Sequence, residues 1–139
     1  MILSVVAMCM ALNLYYEARS HGIQEQVNVG QVVLNRVASD DFPDDVCLVI
    51  YERNQFSWYW DGLSDEPYEI AAWELAQGLA VALVNGWFWV DATGGATFYH
   101  VDKQWNESEK RWVPFRPYLA NRLVHTVTDE AHRFYLQEN

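Results

Sequence analysis

Basic residues are scarce in this chain: nine Lys and Arg stand against nineteen Asp and Glu, a formal net charge of -10 over 139 residues. Phosphate backbones and anionic membrane surfaces require the opposite excess, so no nucleic acid and no charged lipid surface is expected as a partner. The acidic balance itself reports solubility and names no function. Also missing is an apolar run of about 20 residues, the length that spans a bilayer, so no stable membrane insertion is expected. The opening "MILSVVAMCMALNLYY" is shorter, has no Lys or Arg ahead of it and continues unbroken into "YYEAR". It reads as a buried first helix rather than a signal peptide, and the expectation is a chain without an export signal of its own. Only two cysteines are present, Cys9 and Cys47. They are too few for a cysteine zinc site, and a single disulfide between the first and third helices or two buried thiols both fit. Linkers, repeats and low-complexity stretches are absent, which makes residues 1–139 one domain.

What the chain does have is a large apolar fraction, 51%, with 15% aromatic residues, enough to bury a real core. The first helix runs to about Tyr16 or Glu17, Ser20 and Gly22 interrupt, and a second helix begins near Ile23. Its stripe is Ile23, Val27, Gly30, Leu34 and Val37, with Val29, Val32 and Val33 on a neighbouring face. Asp44 or Asp45 starts a short third helix in "DVCLVIYER". The stretch "NQFSWYWDGLSDEP" lacks a helical period and reads as a loop. A fourth helix starts near Pro67, turns Ile70, Trp73, Ala76, Ala80 and Leu83 inward, and stops at Asn85-Gly86. Beyond Gly86 the period changes to two: "WFWVD", "ATFYHV", "RLVHTVT" and "HRFYL" read as short strands, with Thr93-Gly94-Gly95 turning between the first pair. Helices followed by a small antiparallel sheet make an α+β domain, with a cleft expected between the two parts.

Six tryptophans, Trp58, Trp60, Trp87, Trp89, Trp105 and Trp112, fall outside the helices, and only Trp73 sits on one. Any one of them reads most simply as core. Together, beside Gln55, Ser57, Thr97 and Asn106, they supply flat apolar faces for sugar rings with amides and hydroxyls to meet sugar hydroxyls. The composition leans towards carbohydrate.

The succession "YYEAR", "GQVVLNRV", "FPDDVCLVIYE", "NQFSW", "DATGGATFYHV" with "QW" close behind, and a terminal "HRFY" resembles the SleB-type cell wall hydrolase family, which includes spore-cortex-lytic enzymes and some phage lysins. The resemblance extends from about Cys9 to Leu136, with the blocks in the family's order. It implies a fold related to lysozymes and lytic transglycosylases, and cleavage of peptidoglycan glycan strands between N-acetylmuramic acid and N-acetylglucosamine. It also implies that the catalytic acid is Glu17, the Glu of the "YxEAR" block. The family usually reads "EARGE"; here Ser20 and His21 replace the Gly and the second Glu. Either that second acid is dispensable or His21 takes a modified role.

Acetal cleavage needs a carboxylic acid still protonated near neutral pH, and aromatic and apolar walls, like a helix C-terminus, act in that direction on a Glu such as Glu17. Arg19 would oppose this by pairing with Glu17, so a structural role is expected for it. Hydrolysis requires a second carboxylate across the bond, for which Glu52, Asp61, Asp65 and Asp91 are available without a distinguishing pattern. A lytic transglycosylase needs none, because the sugar's own 6-hydroxyl attacks, and that route is favoured. Substrate binding is assigned to Gln55, Ser57 and Trp58 on one wall and to Thr97, Tyr99 and His100 on the other. Thr97 and Tyr99 share one strand face and Phe98 and His100 the other, so not all can enter the cleft. His100 and His132 read as core or network histidines. Alternatives remain a hydrolytic muramidase or glucosaminidase and a glycan-binding module without activity. A zinc amidase using His21, His100, His125, His132 and Asp91 lacks any HExxH-type pair, so no metal and no other cofactor is expected. The expected setting is a monomer acting on the cell wall, held in a host cytoplasm before release if phage-encoded.

Overall fold

The computed structural model describes residues 2–52, 67–88, 90–117 and 122–137. Among these, four helices come first: α1 (Val5–Ala18), α2 (Ile23–Val37), α3 (Val46–Tyr51) and α4 (Ile70–Val84). Five short strands follow: β1 (Phe98–Val101), β2 (Lys103–Asn106), β3 (Arg111–Pro114), β4 (Leu123–Thr128) and β5 (His132–Gln137). β5 lies between β1 and β4 in an antiparallel sheet, while β2 and β3 pair as a separate hairpin. The order is the α+β arrangement that the two periodicities predict.

α1 is the centre of the helical half and packs against α2, α3 and α4. Ser4 caps it, its Oγ accepting from the Ala7 amide at 3.1 Å. Met10, Ala11, Leu14 and Tyr15 are completely buried, which is why its sequence is apolar nearly all round. α2 can lie close because of Gly30, where an added Cβ would stand 2.4 Å from Leu83 Cδ1 of α4 and 3.2 Å from Leu14 Cδ2 of α1. The start of α4 has no capping side chain of its own. The buried Tyr15 hydroxyl replaces it, accepting the amides of Tyr68 and Glu69 at 3.1 and 3.0 Å. α4 ends at Gly86, in the left-handed region at φ 71°, with Trp87 N donating to Ala82 O and Gly86 N to Leu83 O. Asp45 caps α3 through the Leu48 amide, and Cys47 on α3 is joined to Cys9 on α1 by a disulfide with Cα atoms 5.4 Å apart.

α2 joins the two halves. Val29 and Val33 belong to the helical core, while Val32 packs with Ala96 and Phe134 under the sheet. Near its C-terminus Arg36 donates from Nε to the Thr97 carbonyl at 2.7 Å and lies over the rings of Phe42 and Phe98. These contacts fix β1 against α2.

Three expectations need correction. Ile23 and Ile70, placed on inner stripes, are 58% and 73% exposed. Each opens its helix, where the stripe runs out past the core. "WFWVD" forms no strand among its described residues: the Trp87 amide is used in the α4 stop, and Asp91 folds the chain into a turn instead of a ladder. The turn at Thr93-Gly94-Gly95 does form, with φ of 68° and 80° at the glycines, but it leads only into β1. The β2–β3 hairpin was not anticipated because its turn, Glu107 to Lys110, contains no Asn-Gly type pair; Lys110 takes the positive φ of 54° itself.

Candidate active site

Glu17 is the penultimate residue of α1, carried to the edge of the helical half by the turn after Tyr15 and Tyr16. The sheet meets it there. Tyr99, on β1, donates its hydroxyl to Glu17 Oε2 at 3.3 Å, and Glu17 Oε1 is shielded from solvent. Burial, and after it the nearby Glu17 carboxylate, push the Tyr99 phenol well above its ordinary value. It therefore stays protonated and remains a donor.

Tyr99 is held in turn from β5. His132, almost fully buried, meets its ring edge-on at 5.2 Å, and Phe134 packs at 6.0 Å. His132 Nδ1 stands 3.5 Å from Asp129 Oδ1, which also accepts the amides of Ala131 and His132 at 2.8 and 2.7 Å. Asn28 of α2 donates to Asp129 Oδ2 at 2.9 Å. Burial works against the charge on Asp129, yet the hydrogen bonds from His132, Asn28 and the two amides hold its carboxyl down to about 2. His21, in the link between α1 and α2, stacks edge-on against His132 at 5.0 Å. Burial, and then the neighbouring His132, lower its pKa, so it is neutral at pH 7. His21 also borders a cleft of about 290 Å³ together with Val101, Asp102, Lys103, Trp112, Glu130 and Ala131.

Arg19 is turned to other partners. Its guanidinium pairs with Glu69 at 3.3 Å, donates to the Tyr68 hydroxyl and lies 4.7 Å over the Tyr15 ring. That is a brace between α1 and the start of α4.

Of the "ATFYH" residues, Tyr99 reaches Glu17 and the others serve elsewhere. Thr97 is buried, its amide bonded to the Tyr135 carbonyl and its carbonyl to Arg36, and it borders a separate depression of about 210 Å³ beside Asn35, Ser39 and Asp41. His100 lies on the opposite strand face, stacked on Tyr135 at 5.2 Å. Its Nδ1–H donates to the Val101 carbonyl at 2.7 Å, and Nε2 accepts the Tyr135 hydroxyl at 2.7 Å. Gln55, Ser57 and Trp58 lie outside the described residues, as do Asp61 and Asp65.

Asp91 is a clasp for its own loop. Oδ1 accepts the Thr93 amide and hydroxyl at 2.8 and 2.6 Å, and Oδ2 accepts Asn35 Nδ2 and the Gly95 amide at 2.9 and 3.0 Å. Asn35 lies two turns along α2 from Asn28, about 10 Å by helical rise. The clasp and the Asp129 network thus occupy different stretches of the same helix. Glu52 is exposed at the end of α3. Glu25, missed in the sequence, is buried in the first turn of α2 with its carboxylate folded back over Gly22. Among the described residues no three His, Cys, Asp or Glu side chains converge in a metal-binding group, and no helix is long and apolar enough to cross a membrane.

A family model described as Cell Wall Hydrolase matches residues 20–135, beginning just after Glu17. Spore cortex-lytic enzymes of Bacillus cereus and Halalkalibacterium halodurans are 32% and 37% identical to the chain over 110 residues, 79% of its length. The aligned region amounts to 39% and 30% of those two proteins, so the chain spans well under half of either. Among solved structures, the catalytic domain of the Bacillus cereus SleB protein superposes with a TM-score of 0.66 at 27% identity, covering 96% of this chain and 92% of that one. The catalytic domain of the germination-specific lytic transglycosylase SleB from Bacillus anthracis gives 0.68 at 29% identity and covers 96% of each.

Proposed function

Because the chain belongs to the cell wall hydrolase family, we propose that it cleaves peptidoglycan glycan strands between N-acetylmuramic acid and N-acetylglucosamine as a lytic transglycosylase, acting at the cell wall as a monomer. Glu17 is its acid and its base. The observation that carries this reading is the junction of Glu17 with Tyr99, which brings one carboxyl group, partly shielded, to the line where helices and sheet meet. That the Bacillus anthracis neighbour is a germination-specific lytic transglycosylase supports the same reaction type.

In this mechanism Tyr99 orients the carboxyl group through its hydrogen bond to Oε2, and Glu17 carries the carboxylic proton. Glu17 gives that proton to the bridging oxygen, the bond from that oxygen to the muramic C1 breaks, and an oxocarbenium-like centre remains. The 6-hydroxyl of the same sugar closes on C1 and its proton passes to the ionised Glu17. The strand is cut without consuming water and Glu17 is regenerated. Tyr99 holds the carboxyl through both halves, and the Asp129, Asn28 and His132 network holds Tyr99. Asp91, with both oxygens engaged by its own loop and by Asn35, is poorly placed to be the second acid that hydrolysis requires. Gln55, Ser57 and Trp58 contribute binding contacts to the acetamido groups and ring faces, as the family resemblance implies; Thr97 and His100 support β1.

Glu17→Gln preserves size and hydrogen bonding but removes the transferable proton. Release of muropeptides should fall by roughly three orders of magnitude, with an unchanged circular dichroism spectrum and continued binding to glycan. A folded Glu17→Gln protein that clears peptidoglycan at the parent rate would refute the assignment.

A further inference from the structure

The β2–β3 hairpin carries two tryptophans that the fold does not use. Trp105 and Trp112 are directly opposite in the register, their rings T-shaped at 5.7 Å, and they remain 46% and 63% exposed. Large aromatic rings usually repay their place by burial, and a lone two-stranded hairpin gains little stability from an open pair. The hairpin is nevertheless firmly rooted. The Phe115 amide donates to the Asp102 carbonyl at 2.8 Å, Arg116 pairs with Asp102 Oδ1 at 3.1 Å, and the Asp102 amide donates to Ala131 at 2.9 Å. At the tip, Glu107 accepts the Trp105 indole N–H at 2.8 Å and pairs with Lys110. A rigid arm thus presents two rings outward.

Strand alternation places Lys103, Trp105, Trp112 and Pro114 on one face of the hairpin. Lys103 and Trp112 border the same cleft as His21, and His21 touches His132, the residue packed on Tyr99 at Glu17. The face is therefore linked to the candidate active site by a chain of packed rings, from His21 at the cleft through the buried His132 to Tyr99.

We propose that Trp105 and Trp112 form a stacking platform for the glycan strand beyond the sugars bound at Glu17. This rests on the peptidoglycan reading above and extends it. Flat indole faces suit the apolar faces of pyranose rings. Lys103 on the same face suits a carboxylate of a stem peptide, an attraction that a chain of net charge -10 offers at few places.

The test measures binding to purified peptidoglycan, and to glycan strands stripped of their peptides, in the Glu17→Gln background so that the substrate is not consumed. Trp105→Leu with Trp112→Leu keeps apolar bulk across the hairpin but removes the flat faces, and Trp105→Tyr with Trp112→Tyr restores them. The Leu pair should raise Kd about tenfold or more on both substrates, and the Tyr pair should recover most of the loss. Binding by the Leu pair equal to its Glu17→Gln parent would overturn the platform, as would an equal loss in the Tyr pair or no saturable binding by that parent. Digestion by the protein with Glu17 intact is scored separately: binding without cleavage would refute the proposed reaction and leave the platform standing.

Discussion

Tyr99 is the side chain on which the two halves of the site depend. Its hydroxyl reaches Glu17 and its ring is packed by His132 and Phe134. Tyr99→Phe keeps those ring contacts and removes only the donor. A hydrogen bond to a charged group contributes about 1.5–3 kcal/mol, so the maximal cleavage rate should fall roughly ten- to a hundredfold while the melting temperature changes little. A parent-like rate in Tyr99→Phe would show that the phenol does not position the acid. Glu17 and Tyr99 both stand out in the sequence as candidates, because each sits in a block that resembles the family. Tyr99 reads there as a substrate-binding residue and not as the partner of Glu17. Which way the second block points is not legible. Period-two alternation separates Tyr99 from His100, but only the packing of β1 on α2 decides which face meets Glu17. Asn28 and Asp129 were invisible as partners, since 101 residues separate them and neither carries a local pattern.

At the level of elements, the helices were readable from their stripes and stops, and the sheet from alternation in "RLVHTVT" and "HRFYL". Where alternation misled, side chains rather than a neighbouring strand satisfy the backbone. Asp91 and Asn35 organise the segment after α4 as a clasped turn, so an alternating sequence does not become a strand. Tyr15 caps α4 from another helix. The disulfide between Cys9 and Cys47 is one of the two arrangements open from sequence, and it closes 38 residues of chain between α1 and α3. Replacing both cysteines with serine should lower stability by about 2–4 kcal/mol in denaturant titrations of the oxidised protein. Because the bond lies on the far turns of α1 from Glu17, cleavage at temperatures well below the melting point should persist. Loss of activity in a double variant that still unfolds cooperatively would give the cysteines a part in the site that the account denies them.

Across the whole molecule, α2 is the seam. Its valines face the helical core on one side and Phe134 of the sheet on the other, and Glu17, Tyr99, His132 and His21 gather at one end of that seam. On the proposed reading, a glycan strand lying across this junction would meet Glu17 from the helical side and Tyr99 from the sheet, with the hairpin reaching beyond. The central claim is that Glu17 alone serves both proton transfers, and the new chain end records it most directly. Muropeptides released by the protein should carry 1,6-anhydromuramic ends, resist borohydride reduction there and weigh one water less than hydrolytic products in mass spectra. Reducible muramic ends would mean that a water was activated by a second acid, and reducible glucosamine ends would place the cut at the other bond.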